Sequence, residues 1–183
     1  GLAAGISPGL RSVGLLLPYT PIHWLIFHAA AGEPVGRAWR EQAWPLALVM
    51  TSANPHGEPL VYQDALAHER LGGIADRIVT HDRPIEVRCD DSVMRVIEGA
   101  PAFIRRARGY TPEPIELAVD DPSTLGVCAY LTSTVCLTRG REAYMSAHIG
   151  DLDSPEARRS FLEAIDHLQR ILDVRPERVV CDL

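Results

Sequence analysis

Short apolar runs alternate with helical stretches along almost the whole chain, and this pattern most narrows the folds open to it. Residues 13–17 (VGLLL), 46–51 (LALVMT) and 77–80 are too short for stable helices and are bounded by turn-forming residues. Each predicts a strand, the first two buried. Between them, residues 22–31 and 62–71 predict helices, the second closed by Gly72-Gly73. Residues 92–97 and 102–106 read as strands joined by Glu98-Gly99-Ala100-Pro101, a hairpin signal. Strands and helices in alternation predict an α/β fold.

The pattern changes after Tyr110. Residues 110–122 contain Pro112, Pro114 and Pro122 with acidic residues between them, which predicts an extended linker at 111–123. Beyond it, residues 125–129 and 135–138 predict strands, Arg139-Gly140 a turn, and residues 143–145 a short segment pairing back. Ser154 suits a helix N-cap and Pro155 the first helical position. The helix that follows has Phe161, Ile165, Leu168 and Leu172 spaced by four, three and four, an apolar stripe on one face. Residues 178–182 predict a last strand. The division expected is therefore residues 1–110, a linker at 111–123, and residues 124–183.

Composition excludes some chemistry. All 18 Lys+Arg residues are arginine, so the chain has no P-loop lysine and no Schiff-base lysine. A net charge of −6 argues against broad nucleic-acid binding. The cysteines, Cys89, Cys128, Cys136 and Cys181, form no CxxC pair, which argues against a cysteine zinc site and for buried thiols in a reducing cytoplasm. His23, His28, His56, His81 and His148 include no i, i+4 metal pair, so no bound metal is expected in this chain. No run is long enough to span a membrane. The absence of an initiating Met, and a last strand that runs to the final residues, read as a chain cut from something longer.

Two constellations could carry chemistry. Thr51-Ser52-Ala53-Asn54 follows an apolar run, and ligands in open α/β sheets sit beyond the carboxyl ends of strands. A serine hydroxyl and an asparagine amide there can bind phosphate or an acyl group; the same residues also suit a plain turn. The other is Asp90-Asp91-Ser92 with Arg105-Arg106-Ala107-Arg108. Arginine holds phosphate oxygens bidentately, and strand alternation would put Arg106 and Arg108 on one face and Arg105 on the other. A solvated, charge-protected edge strand is the equal alternative. His148, in Ser146-Ala147-His148-Ile149-Gly150-Asp151, touches a ligand or closes the turn before the long helix.

These strings together resemble a known family. Leu16-Leu17-Pro18-Tyr19-Thr20-Pro21-Ile22-His23 is similar to the LPYTPLH segment of the YrdC-like domain in HypF-type carbamoyltransferases. So are Val49-Met50-Thr51-Ser52-Ala53-Asn54 with Gly57-Glu58-Pro59, Gly73-Ile74-Ala75-Asp76, and His81-Asp82-Arg83-Pro84-Ile85 followed by Arg88, Asp90, Asp91, Ser92 and Val93. Arg105-Arg106-Ala107-Arg108-Gly109-Tyr110 continues the match. Ser146 and His148-Ile149-Gly150-Asp151-Leu152-Asp153 resemble the start of the family's Kae1-like domain. The resemblance implies a partial YrdC-like twisted α/β sheet followed by the first strands and helix of a Kae1-like, actin/Hsp70-type α/β domain.

It also implies an activity. The YrdC-like domain makes carbamoyl-adenylate from carbamoyl phosphate and ATP with Mg²⁺. The Kae1-like domain passes the carbamoyl group to the C-terminal cysteine of a hydrogenase-maturation partner, where it becomes the cyanide ligand of the nickel–iron centre. Ser52, Asn54 and Arg106 would carry the chemistry, with Ser92 and Arg108 joining them in nucleotide binding. The family's Lys-x-Arg motif would lie before Gly1, and its zinc or iron in parts outside this chain. Where the family usually reads ELKNT the chain has Tyr130-Leu131-Thr132-Ser133-Thr134, with Thr132 in place of the lysine. The rival readings are an O-carbamoyltransferase of antibiotic biosynthesis, a YrdC-like protein of RNA (including double-stranded RNA) binding or tRNA threonylcarbamoyladenosine type, and a nucleotide-binding module without turnover. The segment 81–93 and the attached second domain argue against the RNA reading.

Overall fold

The most regular element is the helix that the apolar stripe predicts. In the computed structural model, which describes residues 5–127 and 130–182, α3 runs Pro155–Leu172. Ser154 caps it by accepting from the Ala157 N–H at 3.0 Å, with Pro155 in the first turn. Asp173 ends the helix in the left-handed region, φ 50°. Its stripe packs on a four-stranded sheet. Leu168 and Leu172 join Leu125, Val135, Leu137 and Tyr144 in the core, with Phe161 and Ile165 against them.

That sheet comprises β3 (Ile115–Asp121), β4 (Thr124–Val127), β5 (Val135–Met145) and β6 (Arg178–Cys181), ordered β3-β5-β4-β6. β5 is antiparallel to both β3 and β4, and β6 is parallel to β4. Two expectations change here. Residues 115–121, read as linker, are a strand, because they find a ladder in the second half of β5 (Ile115↔Ala143, Glu116↔Glu142). Arg139-Gly140 is not a turn. β5 runs straight through it, with Gly140 at φ 60° where the register against β3 shifts, and glycine takes that backbone without cost. Part of the strand predicted at 125–129, residues 128 and 129, lies outside the described residues.

The earlier part carries a hairpin, β1 (Val93–Ile97) with β2 (Ala100–Arg105), closed as predicted by Glu98 and Gly99, both at positive φ. Helix α2 is Asp64–Leu71. The chain divides into two compact units, one ending at Val49 and one beginning at Met50. The first unit contains α1 (Pro21–Ala30) and a 3₁₀ turn at Ala38–Glu41, where Trp39 meets Trp24 edge-on at 6.2 Å. The runs 13–17, 46–51 and 77–80 do not form strands, since none finds a ladder among the described residues. The first two are not buried: Leu15 is 89% exposed and Val49 79%. The cysteines also differ from expectation. Cys89 and Cys136 are half-buried, and Cys181 is exposed on the edge strand β6.

At the far end of α3, Arg139 donates to the Leu172 carbonyl at 3.4 Å and to the Tyr144 hydroxyl at 2.9 Å, while Tyr144 donates to Glu142 at 2.6 Å. The Tyr144 hydroxyl, and then Arg139, hold the Glu142 carboxyl below the usual carboxylate range. A carboxylate more acidic in the folded state stabilises the fold above its unfolded pKa, and this is lost as pH falls through the folded value. Acidification from the ordinary glutamate range downward should therefore weaken the chain, and Glu142→Gln should flatten that part of the stability profile in urea titrations. Leu168→Ala should cost about 2–5 kcal/mol by chemical denaturation, as expected for a buried leucine. Leu162→Ala, on the exposed side of α3, should stay within about 0.5 kcal/mol.

Candidate functional site

The Ser52–Asn54 turn closes on itself. The Ser52 hydroxyl donates to Asn54 Oδ1, and Asn54 Nδ2 donates to the carbonyls of Glu58 at 2.9 Å and Pro55 at 3.0 Å. The Val61 N–H returns to the Ala53 carbonyl at 2.9 Å, so Asn54 pins the loop that leads towards α2. Both amide hydrogens of Asn54 are spent on this loop. Ser52 is exposed, and its hydroxyl can rotate to meet a ligand.

The arginine cluster is arranged differently from strand alternation. β2 ends at Arg105, so the two-residue period does not reach Arg108. Instead, Arg105 and Arg108 converge on the same acidic pair. Arg105 Nε donates to the Asp91 carbonyl at 2.9 Å and its Nη1 lies 3.8 Å from Asp90; Arg108 Nε lies 3.5 Å from Asp91 and its Nη2 donates to the Cys89 carbonyl at 2.9 Å. Ser92 braces this arrangement, accepting from the Ala107 N–H and donating to the Arg108 carbonyl, both at 2.9 Å. Arg106 stands apart. Its Nη2 donates to the Glu113 carbonyl at 2.9 Å, while its Nη1 is buried with no partner among the described residues. A buried guanidinium nitrogen without an acceptor is costly, and an anionic ligand would relieve that cost. None of the hydrogen bonds and ion pairs of Ser52, Asn54 and Arg106 among the described residues joins the turn to the arginine.

A cavity of about 390 Å³ lies elsewhere, between residues 59–90 and α3. Arg88, Asp90, His148, Glu163, His167 and Arg170 help line it, whereas Ser52, Asn54, Ser92, Arg106 and Arg108 do not. Burial, and then the neighbouring Arg170, hold His167 below the usual imidazole value. Thr132 takes φ 51° and donates its N–H to Asp151 Oδ1 at 2.7 Å. The sequence reading passed over the cavity's helical wall. Ser160, Glu163, His167 and Arg170 are spaced by three, four and three, the helical spacing that revealed the apolar stripe, but on an adjacent face.

Family models divide the chain in the same order as its motifs. Residues 1–107 match the family described as telomere recombination, of the Sua5/YciO/YrdC type, and residues 119–183 match the HypF Kae1-like domain. The chain belongs to the HypF carbamoyltransferases. It covers a YrdC-like part and the start of the Kae1-like domain, in a mixed α/β fold. It is similar to carbamoyltransferase HypF2 of Cupriavidus necator (54% identical, 100% of this chain and 23% of the relative) and to HypF of Rhizobium leguminosarum (54%, 100% and 23%). Among solved structures it resembles full-length HypF in a phosphate- and nucleotide-bound form, with a TM-score of 0.86, 38% identity, and coverage of 100% of this chain and 27% of that one. The chain thus spans about a quarter of the length of the curated relatives it matches.

Ser92 offers a test that separates bracing from ligand contact. Ala107 is fully buried, and Ser92→Ala leaves its N–H without an acceptor. The ligand-free chain should lose about 1–3 kcal/mol of stability by denaturant titration. A loss appearing only with nucleotide present would assign Ser92 to the ligand instead.

Proposed function

We propose that this chain is part of an enzyme that forms carbamoyl-adenylate from carbamoyl phosphate, water and Mg²⁺-bound ATP, releasing phosphate and pyrophosphate, and passes the carbamoyl group to the C-terminal cysteine thiol of a hydrogenase-maturation protein in the cytoplasm, releasing AMP. The observation that carries this reading is the succession, in one chain, of a YrdC-like match over residues 1–107 and a HypF Kae1-like match over 119–183. In this reading the adenylate-forming part comes directly before the transferring part. On the same reading the corresponding domains are residues 1–110 and, because β3 takes most of the expected linker 111–123 into the second sheet, residues 115–183. No helix among the described residues is long and apolar enough to cross a membrane, which is compatible with this setting.

Adenylation at an acyl phosphate is mainly a matter of alignment and of cancelling the charge that gathers on phosphate oxygens. In this reading the Ser52 hydroxyl orients the acyl phosphate through a neutral contact, and Asn54, its amide hydrogens held by the Pro55 and Glu58 carbonyls, fixes the turn that presents it. Arg106, whose Nη1 has no partner among the described residues, takes a phosphate oxygen, while Ser92 and Arg108, engaged with the hairpin backbone and Asp91, hold the segment that carries it. The chain has no lysine, and arginine alone supplies its fixed positive charge. Loss of one well-placed charged donor typically lowers the rate by about 10²–10³.

The 183-residue chain should therefore show no carbamoyl-phosphate-dependent exchange of pyrophosphate into ATP, while a chain extended upstream through a Lys-x-Arg segment should show it. Ser52→Ala or Arg106→Ala in the extended chain should reduce exchange by about 10²–10³ with folding intact by circular dichroism. Equal exchange with and without the upstream segment would overturn this assignment of the site.

A further inference from the structure

The polar edge of α3 does more than line a cavity. Counting from the first turn, Glu156, Ser160, Glu163, His167 and Arg170 recur at four, three, four and three residues, so they form one stripe beside the buried apolar stripe. Its first three members meet arginines from the YrdC-like match. Arg88 spans the gap: its Nη1 donates to Ser160 Oγ at 2.8 Å and to Glu163 Oε2 at 2.7 Å, while its Nε donates to the Leu60 carbonyl at 3.0 Å. Its guanidinium also lies over the Tyr62 ring at 4.9 Å. One turn towards the start of α3, Arg70 Nη1 lies 3.9 Å from Glu156, and its Nη2 pairs with Glu58.

One side chain thus engages a backbone carbonyl and an aromatic face in the first family segment, and a hydroxyl and a carboxylate in the second. The planar fork of arginine can satisfy these partners at once, as lysine cannot. The Arg88 side chain is 24% exposed and that of Glu163 45%, so the pair is open to screening by salt. The compact unit that begins at Met50 includes both the later part of the YrdC-like match and the whole Kae1-like match, so the chain is not divided where the two families meet.

We infer that Arg88 is a positioning residue that clasps α3, and with it the start of the Kae1-like domain, against the segment 58–90 of the YrdC-like match. In the activity proposed above, on which this part of the inference rests, the clasp fixes the geometry through which the carbamoyl group passes from one domain to the other. Adenylate formation does not depend on it.

The test has two arms. In the first, a donor–acceptor dye pair is introduced through unnatural amino acids at positions 65 and 159 of the 183-residue chain, on α2 and α3. Arg88→Gln and Glu163→Gln should each broaden the distance distribution at least about twofold, and raising salt from about 0.05 M to 1 M should broaden the wild type but not Arg88→Gln. The charge swap Arg88→Glu with Glu163→Arg should narrow it again. Unchanged widths in both single variants, or a swap that fails to restore the distribution while circular dichroism shows intact helix, overturns the clasp. In the second arm, on the chain extended to the length of its relatives, Arg88→Gln should keep pyrophosphate exchange within about twofold and reduce carbamoyl transfer to an acceptor cysteine peptide at least about tenfold in kcat, with the swap restoring transfer. Exchange and transfer falling together would overturn the positioning role. An extended wild-type chain with neither activity would defeat the proposed function, while the first arm still decides the clasp.

Discussion

The burial of one face of α3 against β4 and β5 organises the second half of the chain. Leu168 and Leu172 close the core with Leu125, Val135, Leu137 and Tyr144, and their removal from water is the main favourable term available to this region. Once α3 is seated, the residues before and after it are placed too. Ser133 and Gly150 pair as an isolated bridge, β6 returns parallel to β4, and Arg139 secures the last turn through the Leu172 carbonyl.

A helix with a buried apolar stripe has another face to present, and here that face is polar and taken by arginines. Apolar packing is non-directional and fixes how deeply α3 sits on its sheet. The hydrogen bonds of Arg88 are directional and fix how the helix is turned towards residues 58–90. The two kinds of contact are therefore complementary. The net energy of the polar contacts is smaller, because charged groups give up hydration to form them.

The candidate site shows how local hydrogen bonding limits what residue type alone can reveal. Ser92 looks like a ligand contact in sequence, yet its hydroxyl ties the residue before β1 to the backbone of Ala107 and Arg108. Arg105 and Arg108 look like free phosphate binders but converge on Asp90 and Asp91. Arg106, indistinguishable from them in the string RRAR, has a buried nitrogen lacking a partner among the described residues. Which arginine stays available depends on where β2 stops, and that is set by pairing with β1 rather than by the arginines themselves.

The sequence by itself determined the elements whose signals are local: the Ser154 cap and Pro155 at the start of α3, its apolar stripe, the Glu98-Gly99 hairpin, and the order of motifs that identifies the family. Each depends on residues within a few positions of one another, where backbone preference and periodicity act directly. Tertiary structure alone decided whether an extended run became a strand. Residues 115–121 joined a sheet despite flanking prolines because β5 offered an edge, while residues 13–17 and 46–51, richer in apolar side chains, found no ladder among the described residues. It also decided that Arg139-Gly140 continues a strand, and that Arg88 reaches a helix 72 residues along the chain. A strand is completed by its partner and an ion pair by its counter-charge, and the spacing of residues along a chain specifies neither.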